Sequence, residues 1–228
     1  MQTKFEFSVL MPTYDRYDLY MSFDSAVDSC INNSLVPDMI VIVIDGPVRL
    51  EFKQKIMDYE KHPLINVVWL DKNVGLTAAL NEGLKHITTK YVFRADGDDV
   101  NRINRFEKQR DLLMQGYSLV SGAISEFDDT GTSIAVKRVP TVHKSILKYC
   151  RRRNPFNHMA VAYELERVLA VGGYPDLYLM EDWGLWVLLL EGGALSCNSQ
   201  EIFVDASGGA RMYDRRGGLK NISGEYGI

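Results

Sequence analysis

Cysteine is scarce in this 228-residue chain: Cys30, Cys150 and Cys197 are three in number and far apart. A scattered, odd set builds neither a disulfide framework nor a CxxC metal site, so a reducing cytosol is the expected setting. Long apolar runs are missing as well. The opening MQTKFEFSVLMPTYDR is broken at Pro12 and Asp15, and the WVLLL run occupies only 186–190, whereas a spanning helix needs about 20 apolar residues. Neither a secretory leader nor a membrane span is expected. No sign of charge dominates, since 26 Lys plus Arg face 30 Asp plus Glu for a net charge of -4. That balance excludes a protein that coats nucleic acid over its whole surface, and no nucleic-acid partner is expected. Neither GxGxxG nor GxxxxGK followed by Ser or Thr occurs after any strand-like run, which excludes the standard dinucleotide and P-loop phosphate cradles. Internal repeats and low-complexity tracts are absent too.

What is present is a well-mixed globular composition. Hydrophobic residues make up 46% and charged residues 25%, enough apolar surface to offset the ordering of the backbone in one globular unit. Apolar runs at 7–11, 39–44, 65–70 and 91–95 are nearly continuous in Val, Ile and Leu rather than alternating. They read as parallel strands buried on both faces. Between them the spacing predicts helices over 19–31, 48–59 and 76–87, with Asp, Gly and Pro at the junctions. A helix from Asn101 to about Gln115, a strand over 117–124, a turn at FDDTGTS and a strand over 134–139 follow, and beyond about 140 the alternation ends. The class is α/β. Ligands of such sheets bind outside the carboxyl ends of the strands, which here carry Pro12-Thr13-Tyr14, Asp45-Gly46-Pro47, Asp71-Lys72-Asn73 and Asp96-Gly97-Asp98-Asp99.

Asp96, Asp98 and Asp99 crowd three carboxylates into four residues, where repulsion is costly unless a cation neutralises it. Hard oxygen donors point to Mg²⁺ or Mn²⁺, held by one or two carboxylates together with substrate phosphates; a solvated acidic turn is the other reading. An EF-hand is excluded, because Val100 would fall on a ligand position and Asn101 on the turn glycine. DGDDV also fits the DxDxV nucleophile pattern of haloacid-dehalogenase-type phosphatases, although here three βα units precede it. Further on, MEDWGL sets Glu181 and Asp182 at the start of an apolar helix, as dipole partners or as working acids. Trp183 and Trp186 share one face of that helix, which suits core packing or a ligand platform. His158, after Asn154-Pro155-Phe156-Asn157, is a structural histidine or faces a ligand. Segment 137–153 holds seven Lys or Arg and no acid, as a solvated face or as a surface for anionic lipid headgroups or a pyrophosphate.

The stretches SVLMPTYDR (8–16), VIVIDGP (41–47), DKNVGLTAALNEGL (71–84), RADGDD (94–99), NPFNH (154–158) and MEDWGLW (180–186) follow one another in an order and at spacings that resemble family 2 glycosyltransferases of the GT-A fold, over residues 7–190. The resemblance implies a Rossmann-like, mostly parallel central sheet flanked by helices, with a smaller mixed region on the acceptor side. Residues 1–116 become the nucleotide-sugar half and 117–228 the acceptor half of a single domain. The implied reaction moves a sugar, with inversion, from a nucleotide diphosphate donor, UDP above others, to an acceptor hydroxyl. The implied setting is bacterial surface glycan assembly (O-antigen, capsule or exopolysaccharide) on a lipid-linked pyrophosphate acceptor. Pro12, Thr13, Tyr14 and Arg16 then line the nucleoside pocket, and Asp45 bonds the base or ribose, unless it only caps a helix. Asn73 and Gly75 lie beneath the nucleotide, while Arg94 neutralises the diphosphate or braces the aspartates. Asp96 and Asp98, around Gly97, hold Mn²⁺ or Mg²⁺. Asp182 is the implied catalytic base with Glu181 as its neighbour, and His158 and Trp183 face the acceptor. The basic segment 137–153 then implies peripheral contact with the inner face of the plasma membrane.

Many members of that family continue past the acidic-pair helix and supply a metal-binding His, whereas here no His follows His158. The final stretch sets Arg211, Tyr213, Arg215 and Arg216 among Gly208, Gly209, Gly217 and Gly218, as a segment closing over a diphosphate or as a frayed end. Two rival functions stay open on residues alone. One is a phosphatase forming a phosphoaspartate at Asp96; the other is a nucleotide- or glycan-binding module without turnover.

Overall fold

The computed structural model describes residues 4–128 and 130–207; the arginine- and glycine-rich stretch 208–218 lies outside them. The apolar runs of the first hundred residues form strands β1 (Phe7–Thr13), β2 (Met39–Ile44), β3 (Ile65–Trp69) and β4 (Tyr91–Arg94). They pair in parallel, β2 with β1 and β3, and β1 with β4. Because successive side chains point to opposite faces, Val9, Met11, Ile40, Ile42 and Ile44 enter one apolar cluster while Leu10, Val41 and Val43 enter another. Helices α1 (Tyr17–Ile31), α2 (Leu50–Glu60) and α4 (Arg105–Met114) cover the first face through Phe23, Phe52 and Phe106. The second is covered by α3 (Leu76–Leu84), α5 (His143–Cys150), α6 (Leu165–Ala170) and α7 (Glu181–Glu191), which bring Leu80, Ile146, Val168 and Trp186. Helix α3 comes close to the sheet at Gly83, where an added Cβ would lie 2.4 Å from Leu10 Cδ1 and 2.7 Å from Val43 Cγ2.

The sheet continues through β5 (Val100–Asn101), β6 (Leu119–Phe127), β7 (Ser133–Lys137), β8 (Ala162–Glu164) and β9 (Ser196–Ser207). Among the described residues its order is β3-β2-β1-β4-β8-β6-β9-β5, with β7 paired to β6. Strand β8 is antiparallel to both β4 and β6, and β6 runs parallel to β9. The expected α/β class and mostly parallel core are therefore present, joined to a mixed region without a break in the sheet.

Several boundaries differ from those expected. Strand β1 runs on to Thr13, so Pro12 lies inside it rather than after it. Leu10 accepts from the Ala95 N–H at 3.1 Å and so faces β4, whose pairing ends at Leu10 and Arg94. Pro12, two residues on, faces the same side beyond that end, where a missing N–H breaks no ladder bond. Helix α3 stops at Leu84 because Lys85, His86 and Ile87 turn off through N–H bonds to the carbonyls three residues back. Helix α2 begins at Leu50 rather than 48, β6 occupies 119–127 rather than 117–124, and β7 occupies 133–137 rather than 134–139. Strand β9 shows little in the sequence, since its Asn198 to Glu201 stretch is polar and coincides with register shifts against β6.

Candidate active site

The carboxyl ends of β1, β2 and β4 converge on one rim. At the end of β2, the Asp45 carboxylate accepts the Val74 N–H at 2.7 Å and the Gly75 N–H at 3.0 Å, and its carbonyl accepts Asn73 Nδ2 at 3.1 Å. Asp45, Asn73 and Gly75 thus form one unit that fixes the loop leading into α3, and Asp45 caps neither the next helix in the chain, α2, nor α3 itself. Gly75 starts that helix at φ 88. Gly46 is equally constrained: its φ is 93 and an added Cβ would lie 2.5 Å from the backbone nitrogen of Asn73. Gly46→Ala is expected to cost about 2 kcal/mol or more through left-handed strain and backbone collision, read by calorimetry as a Tm lower by at least about 4–8 °C.

The DGDD turn lies between β4 and β5. One ligand atom from each of Asp96, Asp98 and Asp99 fits within 4.8 Å of the others. Asp98 accepts from Arg16 Nη2 at 2.5 Å, and Arg16 also reaches Asp18 at 2.6 Å and the Tyr14 hydroxyl at 3.1 Å. Asp96 pairs with Arg94, which is 1% exposed and whose carbonyl accepts Arg105 Nη2 at 2.7 Å. Asp99 is buried and accepts the Ser207 N–H at 2.9 Å. Burial pushes the Asp98 and Asp99 carboxyls above the usual carboxylate range; Asp96 adds to both, and Arg16 opposes the rise at Asp98. Two arginines therefore only partly offset the crowding. The donor set is all carboxylate oxygen, the chemistry that hard divalent cations take. Beside it the Thr13 hydroxyl and Arg94 Nε are buried with no hydrogen-bond partner among the described residues, and Gly97 keeps the turn open, since a Cβ there would meet Thr13 Oγ1 at 3.2 Å.

A cavity of about 590 Å³ opens next to this turn, lined by Arg94, Asp96, His158, Glu181, Asp182 and Trp183 among others. Helix α7 starts at its wall with Glu181 and Asp182 in the first turn; the Asp182 carboxylate accepts the Trp183 N–H at 2.7 Å, and its other oxygen accepts Asn154 Nδ2 at 2.6 Å. Asn154 is held in turn, its Oδ1 accepting the Phe156 N–H at 3.2 Å. Burial raises the Glu181 carboxyl above its usual range, with Asp182 adding to the rise and Arg94 opposing it. Trp183 Nε1 donates to the Cys150 carbonyl at 2.8 Å. Trp186, by contrast, is fully buried against Phe156, His158 and Tyr174. His158 Nε2 lies 3.1 Å from the Tyr174 hydroxyl.

The structure thus gathers Arg94, Asp96, His158, Glu181, Asp182 and Trp183 in one cavity, although up to about ninety residues separate them in the chain. Pro12, Thr13, Tyr14, Arg16, Asp45, Asn73, Gly75, Gly97 and Asp98 lie outside its lining, on the rim made by the strand ends. Asn154 and Tyr174 were not among the sequence candidates. Asn154 opens the NPFNH stretch, which is the one signal that could have singled it out.

The chain matches the family described as Glycosyl transferase family 2 over residues 8–164. It is 38% identical over 218 residues to the UDP-Gal:alpha-D-GlcNAc-diphosphoundecaprenol beta-1,3-galactosyltransferase of Escherichia coli, a match covering 94% of this chain and 78% of that protein. Against the amylovoran biosynthesis glycosyltransferase AmsE of Erwinia amylovora the identity is 33% over 221 residues, covering 96% and 82%. Among solved structures, S. aureus TarS 1-349 superposes with a TM-score of 0.71 at 17% identity, covering 89% of this chain and 60% of that one. The mannosyltransferase PcManGT of Pyrobaculum calidifontis, solved with GDP-Man and Mn2+, superposes with a TM-score of 0.67 at 17% identity, covering 90% and 58%. This chain therefore spans about four fifths of those curated relatives and about three fifths of those solved structures. The structural likeness speaks for the fold, which is GT-A, and the matches favour sugar transfer over the phosphatase suggested by DGDDV. Since the family match takes in the first four strands, the DGDD turn and the NPFNH stretch, and the sheet joins them as that fold requires, the chain belongs to glycosyl transferase family 2 and is a glycosyltransferase.

Proposed function

We propose that the enzyme transfers a sugar, with inversion, from a UDP-sugar to a hydroxyl of a lipid-linked glycan during assembly of a bacterial surface polysaccharide. The observation that carries this reading is the single cavity in which Asp96 of the DGDD turn meets Glu181 and Asp182 at the start of α7. The E. coli relative, which takes UDP-Gal and a diphosphoundecaprenol-linked sugar, supports the choice of donor and acceptor, and the amylovoran enzyme supports the polysaccharide setting. Residues 1–116 serve as the donor half and 117–228 as the acceptor half.

Pro12, Thr13, Tyr14 and Arg16 border the nucleoside, with Asp45, Asn73 and Gly75 beneath it. Asp96 and Asp98 would hold Mn²⁺ or Mg²⁺, and Arg94 keeps Asp96 aimed. A divalent ion bound there supplies electrostatic compensation for the charge gathering on the diphosphate as it leaves. Asp182 takes the proton of the acceptor hydroxyl while that oxygen bonds the anomeric carbon. The bond from this carbon to the diphosphate oxygen breaks, and its electron pair departs with UDP. Glu181 stands beside the base, and His158 and Trp183 border the acceptor. No helix among the described residues is long and apolar enough to cross a membrane; the basic segment 137–153 supports peripheral contact with an anionic leaflet, at about 1 kcal/mol per cation near the surface.

Thermal unfolding in UDP-, GDP-, dTDP- and CMP-sugars, with Mn²⁺ and with chelator, tests the donor. A UDP-sugar with Mn²⁺ at a hundred times its Kd is expected to add about 2.7 kcal/mol, or about 5–11 °C in Tm. A protein that no nucleotide sugar stabilises in either condition would end this proposal.

A further inference from the structure

We infer that Lys137, Arg152 and Arg153 form an anion subsite at the mouth of the active-site cavity and take the diphosphate of the acceptor. The inference rests on the sugar-transfer reading and adds to it the residues that recognise the second substrate. All three residues line the cavity that Glu181 and Asp182 also line. They arrive there from two elements: Lys137 ends β7, and Arg152 and Arg153 follow α5, where their N–H groups both donate to the Tyr149 carbonyl at 3.0 Å.

Three observations assign the anion to the acceptor. Arg153 immediately precedes Asn154, whose side chain donates to Asp182 at 2.6 Å, so the guanidinium groups hang one and two residues from the partner of the proposed base. The cations on the donor side are already engaged, Arg16 by Asp98 and Asp18 and Arg94 by Asp96, whereas Arg152 and Arg153 are exposed and make no ion pair among the described residues. Finally, Arg152 and Arg153 stand at the exposed side of the lining, while its half-buried part carries Asp96, Glu181 and Asp182. An acceptor with a diphosphate would be repelled there unless cations at the mouth compensate, and a neutral acceptor would need none. Tyr178 and Leu179, 68% and 51% exposed, line the same cavity and offer apolar surface to a carbon chain beyond the diphosphate. Arg138, Lys144, Lys148 and Arg151 belong to the same basic segment but not to the cavity lining, which leaves them to meet lipid headgroups.

Farnesyl diphosphate is the probe, titrated calorimetrically in chelator so that no metal at the DGDD turn can take its diphosphate. Saturable binding is expected. The double variant R152Q/R153Q should weaken it about tenfold or more and K137Q about threefold, the range of one or two charge-assisted contacts. K61Q/K85Q, removing charge from exposed positions outside the cavity, should stay within about twofold. UDP affinity in Mg²⁺ and circular dichroism should be unchanged in all variants. The inference is overturned if R152Q/R153Q binds farnesyl diphosphate as the parent does, or if the parent does not bind it. A loss falling equally on UDP would hand these arginines to the donor, and one falling only on pelleting with phosphatidylglycerol vesicles would hand them to the membrane; either result also overturns it. Failure of the parent to bind UDP in Mg²⁺ would instead remove the transfer reading, and the acceptor assignment with it, while the anion affinity would still be measured.

Discussion

Asp182→Asn is expected to abolish sugar transfer, lowering kcat by about 10²- to 10⁴-fold, while UDP and metal affinity stay within about twofold. The substitution keeps the volume and the oxygen that accepts the Trp183 N–H, but it removes the charge that the proposed base needs to receive the hydroxyl proton. Its new amide would face the amide of Asn154, which now donates to Asp182 at 2.6 Å. Asn154 can flip only by surrendering the Phe156 N–H at 3.2 Å, so a stability loss of about 1 kcal/mol should accompany the variant. The two effects separate cleanly in a stopped assay alongside a melting curve. If Asp182 served only as a dipole partner in the first turn of α7, stability would fall and turnover would survive. Transfer at the parental rate would shift the role of base to Glu181.

Asp98→Ala should remove most of the gain in UDP affinity that Mn²⁺ or Mg²⁺ provides, a loss of about tenfold or more. It should leave the chelated protein close to its parental stability. The reason lies in the crowding at the DGDD turn, where Asp98 and Asp99 both sit above the usual carboxylate range because burial and Asp96 disfavour their charge. Deleting one carboxylate relieves that repulsion, which offsets the loss of the Arg16 ion pair; Arg16 keeps Asp18 and Tyr14. Titration of UDP with metal and with chelator decides the matter. Equal affinity in both conditions, in a protein that melts normally, would sink the metal role of this turn.

Much of this molecule could be read from its residues. The four parallel strands showed because burial on both faces forces runs such as MIVIVI, and the ends of β2 and β4 were visible because Asp and Gly interrupt those runs, whereas Pro12 lies inside β1. What escaped was whatever depends on contacts distant in sequence. Three-residue β8 is too short to carry a period, and β9 is polar in its middle because register shifts against β6 free Ser199, Gln200 and Glu201 from inward packing. Trp183 and Trp186 look alike on a helical wheel. Only the carbonyl of Cys150, 33 residues earlier, distinguishes the one at the cavity from the one in the core. The bond from Asn154 to Asp182 likewise joins two motifs that nothing in either alone connects.

The DGDD turn is tied down on both sides. Arg94 before it ends a strand paired with β1, Val100 after it pairs with Asp205 of β9, and the Asp99 carboxylate holds the backbone of Ser207. Fixing a residue's backbone costs about 1–2 kcal/mol, and for this turn that ordering is completed when the sheet forms rather than when a cation arrives. A cation taken up by this turn would therefore bind and leave without the turn first refolding. Its readiness between turnovers is a property of the sheet edge where β5 meets β9.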